Sequence, residues 1–262
     1  MSEALLVTSG KGGVGKSTLA VNLAATLALM DYKTVLVDAD TGLRSLDVML
    51  GLENNVVYDL TDVAEGVCKL RQALVHQPEV PGLSMVAAAA LRDATSVSRE
   101  KMKEIVGHLK ERYAYVIIDC PAGVDEGFRV AASGADRAII VTQTDAVCVR
   151  DAERVKGLLE RAGVTDVMLA INRARREKLK KGQESACESI ARRLELPLIG
   201  IVGENDAFLN AVQKGRPLVL DDADMKATFE EIVRRLRGEE LPVKPLGKLS
   251  FWQWLMKDYR DY

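Results

Sequence analysis

Short apolar runs alternating with helically spaced apolar stripes predict an α/β fold, a mainly parallel sheet with helices on both faces. Three observations carry that expectation. Runs rich in Val, Ile and Leu recur at 4–8, 33–38, 83–86, 115–119, 138–142, 167–172 and 198–202, each short enough to be a buried strand. Segments between them place apolar residues at helical spacing. The first run leads through a glycine-rich turn straight into a helix, the order that opens doubly wound sheets.

That turn reads Gly10-Lys11-Gly12-Gly13-Val14-Gly15-Lys16-Ser17-Thr18 and fits the phosphate-loop pattern G-x-x-x-x-G-K-[ST] at Gly10, Gly15, Lys16 and Ser17. The strand before it (4–8) and the helix after it (17–30, with Leu19, Leu23, Leu27 and Met30 in register) supply the context the pattern requires. Glycines let the backbone curl and aim its N–H groups at an anion, and the helix adds the positive end of its dipole. Lys16 is expected at the β- and γ-phosphates, and the Ser17 hydroxyl on Mg²⁺. The predicted fold is therefore P-loop NTPase-like. A glycine-rich turn with a stray lysine is the bland alternative, and both flanks argue against it.

The second strand, 33–38, ends in Asp38-Ala39-Asp40. Carboxylates two residues apart lie on one side of an extended chain, at the sheet edge where doubly wound folds bind ligands. Asp38 is placed to hold magnesium waters and Asp40 to orient a water that attacks the γ-phosphate. Alone, the pair fits a solvated, helix-capping turn equally well; the upstream loop favours the site. Short helices are expected at 57–63 and 69–74, with Pro78 and Pro81-Gly82 turning the chain into the strand at 83–86. Residues 98–112 form a charged helix that buries Met102, Ile105, Val106 and Leu109. The run 115–119 ends in Asp119, a Walker B pattern that puts a carboxylate near the Mg²⁺ held by Ser17. Pro121-Ala122-Gly123 follows, a loop able to sense the γ-phosphate through its backbone.

A helix over 147–162, closed by Gly163, follows the strand at 138–142. The strand 167–172 ends in Asn172, within reach of a nucleotide base. GTPases reading guanine with N-K-x-D place an aspartate where this chain has Asn172-Arg173-Ala174-Arg175, so ATP is favoured. The basic run through Arg173, Arg175, Arg176, Lys178, Lys180 and Lys181 is expected to be a solvated loop. After the strand 198–202, helices are expected at 205–214 and 224–237. The globular part ends near Gly238, giving a domain over 1–240, a linker over 241–247 marked by Pro242 and Pro245, and a tail over 248–262.

Composition narrows the classes. With 262 residues, 48% hydrophobic, the chain can bury a substantial core. Charged residues make up 28% and nearly balance at −2, which argues against a protein wrapped by nucleic acid. Cys68, Cys120, Cys148 and Cys187 are scattered without a C-x-x-C pair, which suits a reducing cytoplasm and no zinc or disulfide frame. No signal peptide or membrane-spanning run is expected. His76 and His108 read as surface residues.

In the tail, Leu249, Phe251, Trp252, Leu255, Met256 and Tyr259 share one broad helical side, with Ser250, Gln253 and Lys257 opposite. Both tryptophans of the chain are here. The residues alone suit a terminal helix packed on the body as well as a reversible membrane anchor.

Lys11 makes the loop K-G-G-x-G-K-S, which resembles the deviant Walker A ATPases. The similarity extends through Asp38-x-Asp40-x-Gly42-Leu43-Arg44-x-Leu46-Asp47, Val57-Tyr58-Asp59, Asp119-x-Pro121-Ala122-Gly123 and Val149-Arg150-Asp151, and is closest to the septum-site-determining MinD branch of the MinD/ParA family. It covers essentially the whole chain. Two features depart from it: Gly203-Glu204-Asn205-Asp206 stands where the branch has Pro-Glu-Asp or similar, and the tail is aromatic rather than basic. The resemblance implies a Mg²⁺-dependent ATPase that forms a homodimer with ATP, Lys11 reaching across to the partner's nucleotide. It places the phosphates among Gly10, Lys11, Gly12, Gly13, Val14, Gly15, Lys16, Ser17 and Thr18. Lys11, Lys16 and Asp40 would act in catalysis, with Gly42, Pro121 and Gly123 sensing the γ-phosphate. It also implies a MinC-like division inhibitor and a MinE-like activator binding near Arg44, Asp151 and Glu153. The tail would anchor the protein peripherally to the cytoplasmic face of the inner membrane through Leu249, Phe251, Trp252, Leu255 and Met256. The competing classes are a DNA-partition ATPase of the ParA type and an iron–sulfur carrier of the same fold.

Overall fold

The computed structural model describes residues 2–40, 44–89, 97–175, 185–244 and 246. In chain order the elements are β1 (Glu3–Thr8), α1 (Lys16–Leu29), β2 (Thr34–Asp38), α2 (Leu46–Met49), α3 (Leu60–Ala64), α4 (Leu70–Ala73), β3 (Val75–His76), β4 (Leu83–Val86), α5 (Arg99–Lys110), β5 (Tyr115–Asp119), α6 (Glu126–Ser133), β6 (Arg137–Thr142), α7 (Ala146–Arg161), β7 (Val167–Ala174), α8 (Ala186–Leu194), β8 (Leu198–Gly203), α9 (Ala207–Gln213), a 3-10 turn at Leu218–Leu220, and α10 (Ala223–Leu236).

The eight strands form one sheet in the order β3-β4-β2-β5-β1-β6-β7-β8. Among the described residues every pairing is parallel except that of the two-residue edge strand β3 with β4. Each central strand is apolar on both sides, so alternate residues feed two cores. Leu6, Val116, Ile118 and Ile140 join Met102, Ile105 and Leu109 of α5, Phe128 of α6, Val155 and Leu159 of α7, and Leu194 of α8. Leu5, Val7, Ile117 and Ile139 join Leu19, Leu23 and Leu27 of α1 and Phe229, Ile232 and Val233 of α10. The doubly wound α/β expectation holds.

Strands β4 and β5 have the expected bounds, and the long helices lie within two residues of theirs. Side chains close the helix starts: Asp145 accepts from the Cys148 N–H at 3.0 Å and Asp222 from the Met225 N–H at 3.0 Å. The expected helix at 57–63 begins later, at Leu60, because Asp59 caps it and the Asp62 side chain returns the bond. Periodicity does not single out strand β3 or helices α2, α6 and α8. For α8 the available signal is the capping box of Ser185 and Glu188. His76 is exposed on the edge strand, its Nδ1 2.9 Å from the Ser84 Oγ, and His108 is exposed near Glu111.

After α10, the chain lies against the body at its described residues. Arg235 donates to the carbonyls of Leu241, Pro242 and Ile199, and Val243 and Leu246 pack on the core. Leu246 sits beside Gly203, the last residue of β8. The tail from 247 onward lies outside the described residues, and among those described no helix is long and apolar enough to cross a membrane.

Candidate functional site

The strands that converge on the site all end at one edge. Strand β1 stops at Thr8 and α1 starts at Lys16, with the phosphate loop between them. The Ser9 hydroxyl donates to the Lys11 carbonyl at 3.0 Å, and Gly13 and Gly15 take φ of 81° and 91°, which closes the curl. Lys11 is exposed at its tip and Val14 is buried beneath it.

Lys16 turns inward. Its Nζ lies 2.7 Å from Asp119 Oδ1 and 3.2 Å from the Ser17 Oγ. Asp119 and Asp38 are direct register partners on β5 and β2, both fully buried. Asp38 accepts the Asp40 N–H at 3.0 Å and the Leu46 N–H at 3.4 Å, so it also folds the loop after β2 back over the sheet edge. One ammonium thus faces two adjacent carboxylates in a buried site. Burial is the largest influence and pulls the Lys16 pKa down, but the charge and hydrogen bond of Asp119, with Cys120 and Asp40, together make the net shift upward. Burial and the neighbouring Asp119 push the Asp38 carboxyl up to about 7. Half-buried Asp40 is raised by burial, with Lys16 opposing.

The donors suit a divalent cation with phosphates. The buried Asp119 Oδ2 has no hydrogen-bond partner among the described residues, and the Ser17 hydroxyl lies beside the same ammonium. Those residues contain no cluster of three His, Cys, Asp or Glu side chains able to hold a metal by themselves. Two carboxylates and a hydroxyl, completed by waters and phosphate oxygens, is the set that Mg²⁺ takes.

The loop is held from outside at two points not apparent in the sequence. A Cβ on Gly10 would fall 2.6–2.7 Å from the Cβ, C and O of Asp151, so α7 packs directly on the loop's first residue. Asn172 of β7 is 6% exposed, and its Nδ2 donates to the Val14 carbonyl at 2.8 Å. The residue expected at the base thus reaches the phosphate loop. Gly12 faces Ala122 in the loop after β5, where Pro121 is half-buried and Gly123 takes a φ of 97°. Thr18 borders a shallow hollow shared with Val21, Met49, Phe208 and Arg216.

Of the expected partner surface, Arg44 takes a positive φ of 33° and pairs with buried Asp47. Glu153 is exposed near Arg193. Asp151 is half-buried against the loop. Arg173 and Arg175 of the basic run are exposed, Arg175 lying 3.9 Å from Glu204. Gly42, the rest of the basic run, and Leu249, Phe251, Trp252, Leu255 and Met256 lie outside the described residues.

Residues 1–237 match the ParA family model, described as an NUBPL iron-transfer P-loop NTPase. The chain is 43% identical to the septum site-determining protein MinD of Bacillus subtilis over 94% of its own length and 93% of the relative's. The structure of the MinC:MinD cell division protein complex of Aquifex aeolicus superposes with a TM-score of 0.85 at 38% identity, covering 94% of this chain and 100% of that one. The septum site-determining MinD of Pyrococcus horikoshii, solved with Mg-ADP, gives 0.79 at 26% identity over 92% and 100%.

Proposed function

The chain belongs to the MinD family of ParA-type P-loop ATPases, and from that premise we propose that it is an ATP-operated switch that takes a division inhibitor to the membrane and so positions the septum. The observation that carries the chemistry is the meeting of Lys16, Asp119 and Asp38 at the end of the phosphate loop.

With ATP, Lys16 leaves Asp119 for the β- and γ-phosphates. Asp119, Asp38 and the Ser17 hydroxyl would then hold Mg²⁺, directly or through water, whose charge offsets that of the phosphates. Asp40, at the rim of this site, orients the water that attacks the γ-phosphate, giving ADP and phosphate. The backbone at Gly42, Pro121 and Gly123 senses whether the γ-phosphate is present. Lys11, exposed on the loop, completes the nucleotide site of a second copy, so ATP joins two chains.

Each chain carries one aromatic tail as a weak anchor. Two anchors on one dimer bind with avidity, so nucleotide state sets membrane residence at the cytoplasmic face of the inner membrane. A MinC-like inhibitor and a MinE-like activator would dock near Arg44, Asp151 and Glu153; a MinC:MinD complex of a relative supports the first. For the iron–sulfur alternative, the Cys120 thiol is a poor ligand: it is wholly buried and burial pushes it up to about 12.

The test is vesicle sedimentation of the full chain with ATP, with ADP and without nucleotide. Binding in ATP alone is expected. Equal binding in all three arms would sink the switch.

A further inference from the structure

We infer that the chain after α10 is a strap around the edge strand β8, clasped by Arg235, and that it fixes the point from which the membrane-binding tail departs. Strand β8 pairs with β7 alone among the described residues, and the outer side of such an edge offers unpaired backbone groups that folds cover or blunt. Its four middle residues, 199–202, are nevertheless buried. Helix α10 packs on one face of the sheet through Phe229, Ile232 and Val233, whereas Val243 and Leu246 pack on the core of the other face. The chain therefore passes around the β8 edge between them. It starts level with Ile199, the second residue of β8, and at Leu246 lies beside Gly203, the last. Leu241 and Val243 are half-buried while Pro242 and Lys244 are exposed, the two-residue alternation of an extended chain lying on a surface.

Arg235 supplies the clasp, and its side chain is only 8% exposed. Nε donates to the Leu241 carbonyl at 2.9 Å and Nη1 to the Ile199 carbonyl at 3.1 Å. Nη2 donates to the Pro242 carbonyl at 2.8 Å and to Glu231 Oε2 at 2.6 Å. One guanidinium thus joins helix, edge strand and strap, which the point charge of a lysine, lacking the fork, cannot span. Lys244 of the strap lies 3.3 Å from Glu231 Oε1, a second tie to the same helix. With Leu246 held, only Gly247 separates the docked chain from the tail at 248. This root stands on the sheet edge that carries the phosphate loop, three strands or about 14 Å across from β1. Releasing residues 241–246 would give each anchor up to about 20 Å of slack. Slack lowers the effective concentration of the second tail at the surface, and avidity falls with it. Arg235 is thereby a positioning residue for the membrane step.

The bearing on the tail rests on the membrane reading, so strap and tail are measured separately on the full chain. ¹⁵N relaxation of the nucleotide-free protein reads the strap. Order parameters at Leu241, Val243, Lys244 and Leu246 are expected near the rigid value of about 0.85 in the parent and below about 0.6 in Arg235→Ala, with α10 unchanged. Arg235→Lys keeps the charge but not the fork and should free the strap as well. Leu246→Asp, outside the helix, should free its own end while the clasp stays closed. Vesicle sedimentation in ATP reads the tail. Arg235→Ala and Leu246→Asp are expected to bind about threefold or more weakly than the parent, with dimerisation and turnover unchanged. A strap that is mobile in the parent, or still rigid in Arg235→Ala, would overturn the clasp. A freed strap with vesicle binding at the parent's level would overturn its role in placing the tail. A parent with a rigid strap that ignores vesicles in ATP would overturn the membrane reading and leave the strap standing.

Discussion

At Lys16 a single ammonium answers for two buried carboxylates, and its removal acts twice. Without nucleotide, Lys16→Ala leaves Asp119 buried with no cation, and breaking such a pair typically destabilises by about 3–5 kcal/mol. With nucleotide it removes the charge at the β- and γ-phosphates. ATP turnover should fall at least about 10²-fold and ATP-dependent dimerisation should be lost. Near-normal hydrolysis by the folded variant would contradict the site. Asp38 gives a pH dependence. Its pKa rises from 3.8 to about 7 on folding, so between those values the native state holds a proton the unfolded chain has released. Stability of the nucleotide-free protein should therefore fall as pH rises from about 4 to about 7 and level off above. At roughly 1.4 kcal/mol per pKa unit this amounts to a few kcal/mol. Urea melts at pH 5 and pH 8 in chelator should show the loss for the parent and a flatter profile for Asp38→Asn. An unchanged profile would assign the titration elsewhere.

At the scale of elements, glycines separate close contact from mere flexibility. Gly10 lies where α7 touches the phosphate loop, and a Cβ there meets backbone atoms of Asp151 that cannot swing aside. Gly10→Ala should cost about 1–3 kcal/mol, or roughly 3–10 °C in Tm, and weaken nucleotide binding. Gly107 of α5 and Gly157 of α7 have nothing within 4 Å of the same atom and take ordinary helical φ. Gly107→Ala and Gly157→Ala should stabilise by about 0.5–1 kcal/mol, because alanine loses less entropy in a helix. Thermal melts of the three variants would decide; a Gly10→Ala melt at or above the parent's would mean that α7 does not press on the loop.

For the whole molecule, hydrolysis and membrane residence should separate by variant. Asp40→Ala should still bind ATP and dimerise but turn over slowly, since water orientation matters mainly in the transition state. Light scattering should find a persistent dimer in ATP; loss of ATP binding with an intact fold would make Asp40 a binding residue. Removing residues 248–262 should leave dimerisation intact and abolish vesicle binding. Lys248, Lys257 and Arg260 are largely offset by Asp258 and Asp261, so insertion should depend little on salt or anionic lipid. Trp252→Glu should impair it severely and Lys257→Gln hardly at all. Sedimentation of the truncated chain at the parent's level would clear the tail of the role.

What the sequence determined by itself was local. The phosphate loop, the apolar strands ending in Asp38 and Asp119, and most helix bounds are written in spacings of a few residues, where turn chemistry and periodicity act. Asp38 was ambiguous until paired with the loop, and α6 and α8 escaped because their apolar stripes are short beside their charge. Tertiary structure alone decided how the parts are joined. Lys16 meets Asp119 across 103 residues of chain, and Asn172 meets Val14 across 158. Strand order brings these residues to one edge, and no local pattern encodes strand order. Asn172 shows the difference most plainly. Its place at the end of β7 was legible, but the partner of its amide was not, because a side chain with a donor and an acceptor accepts whatever the fold sets beside it.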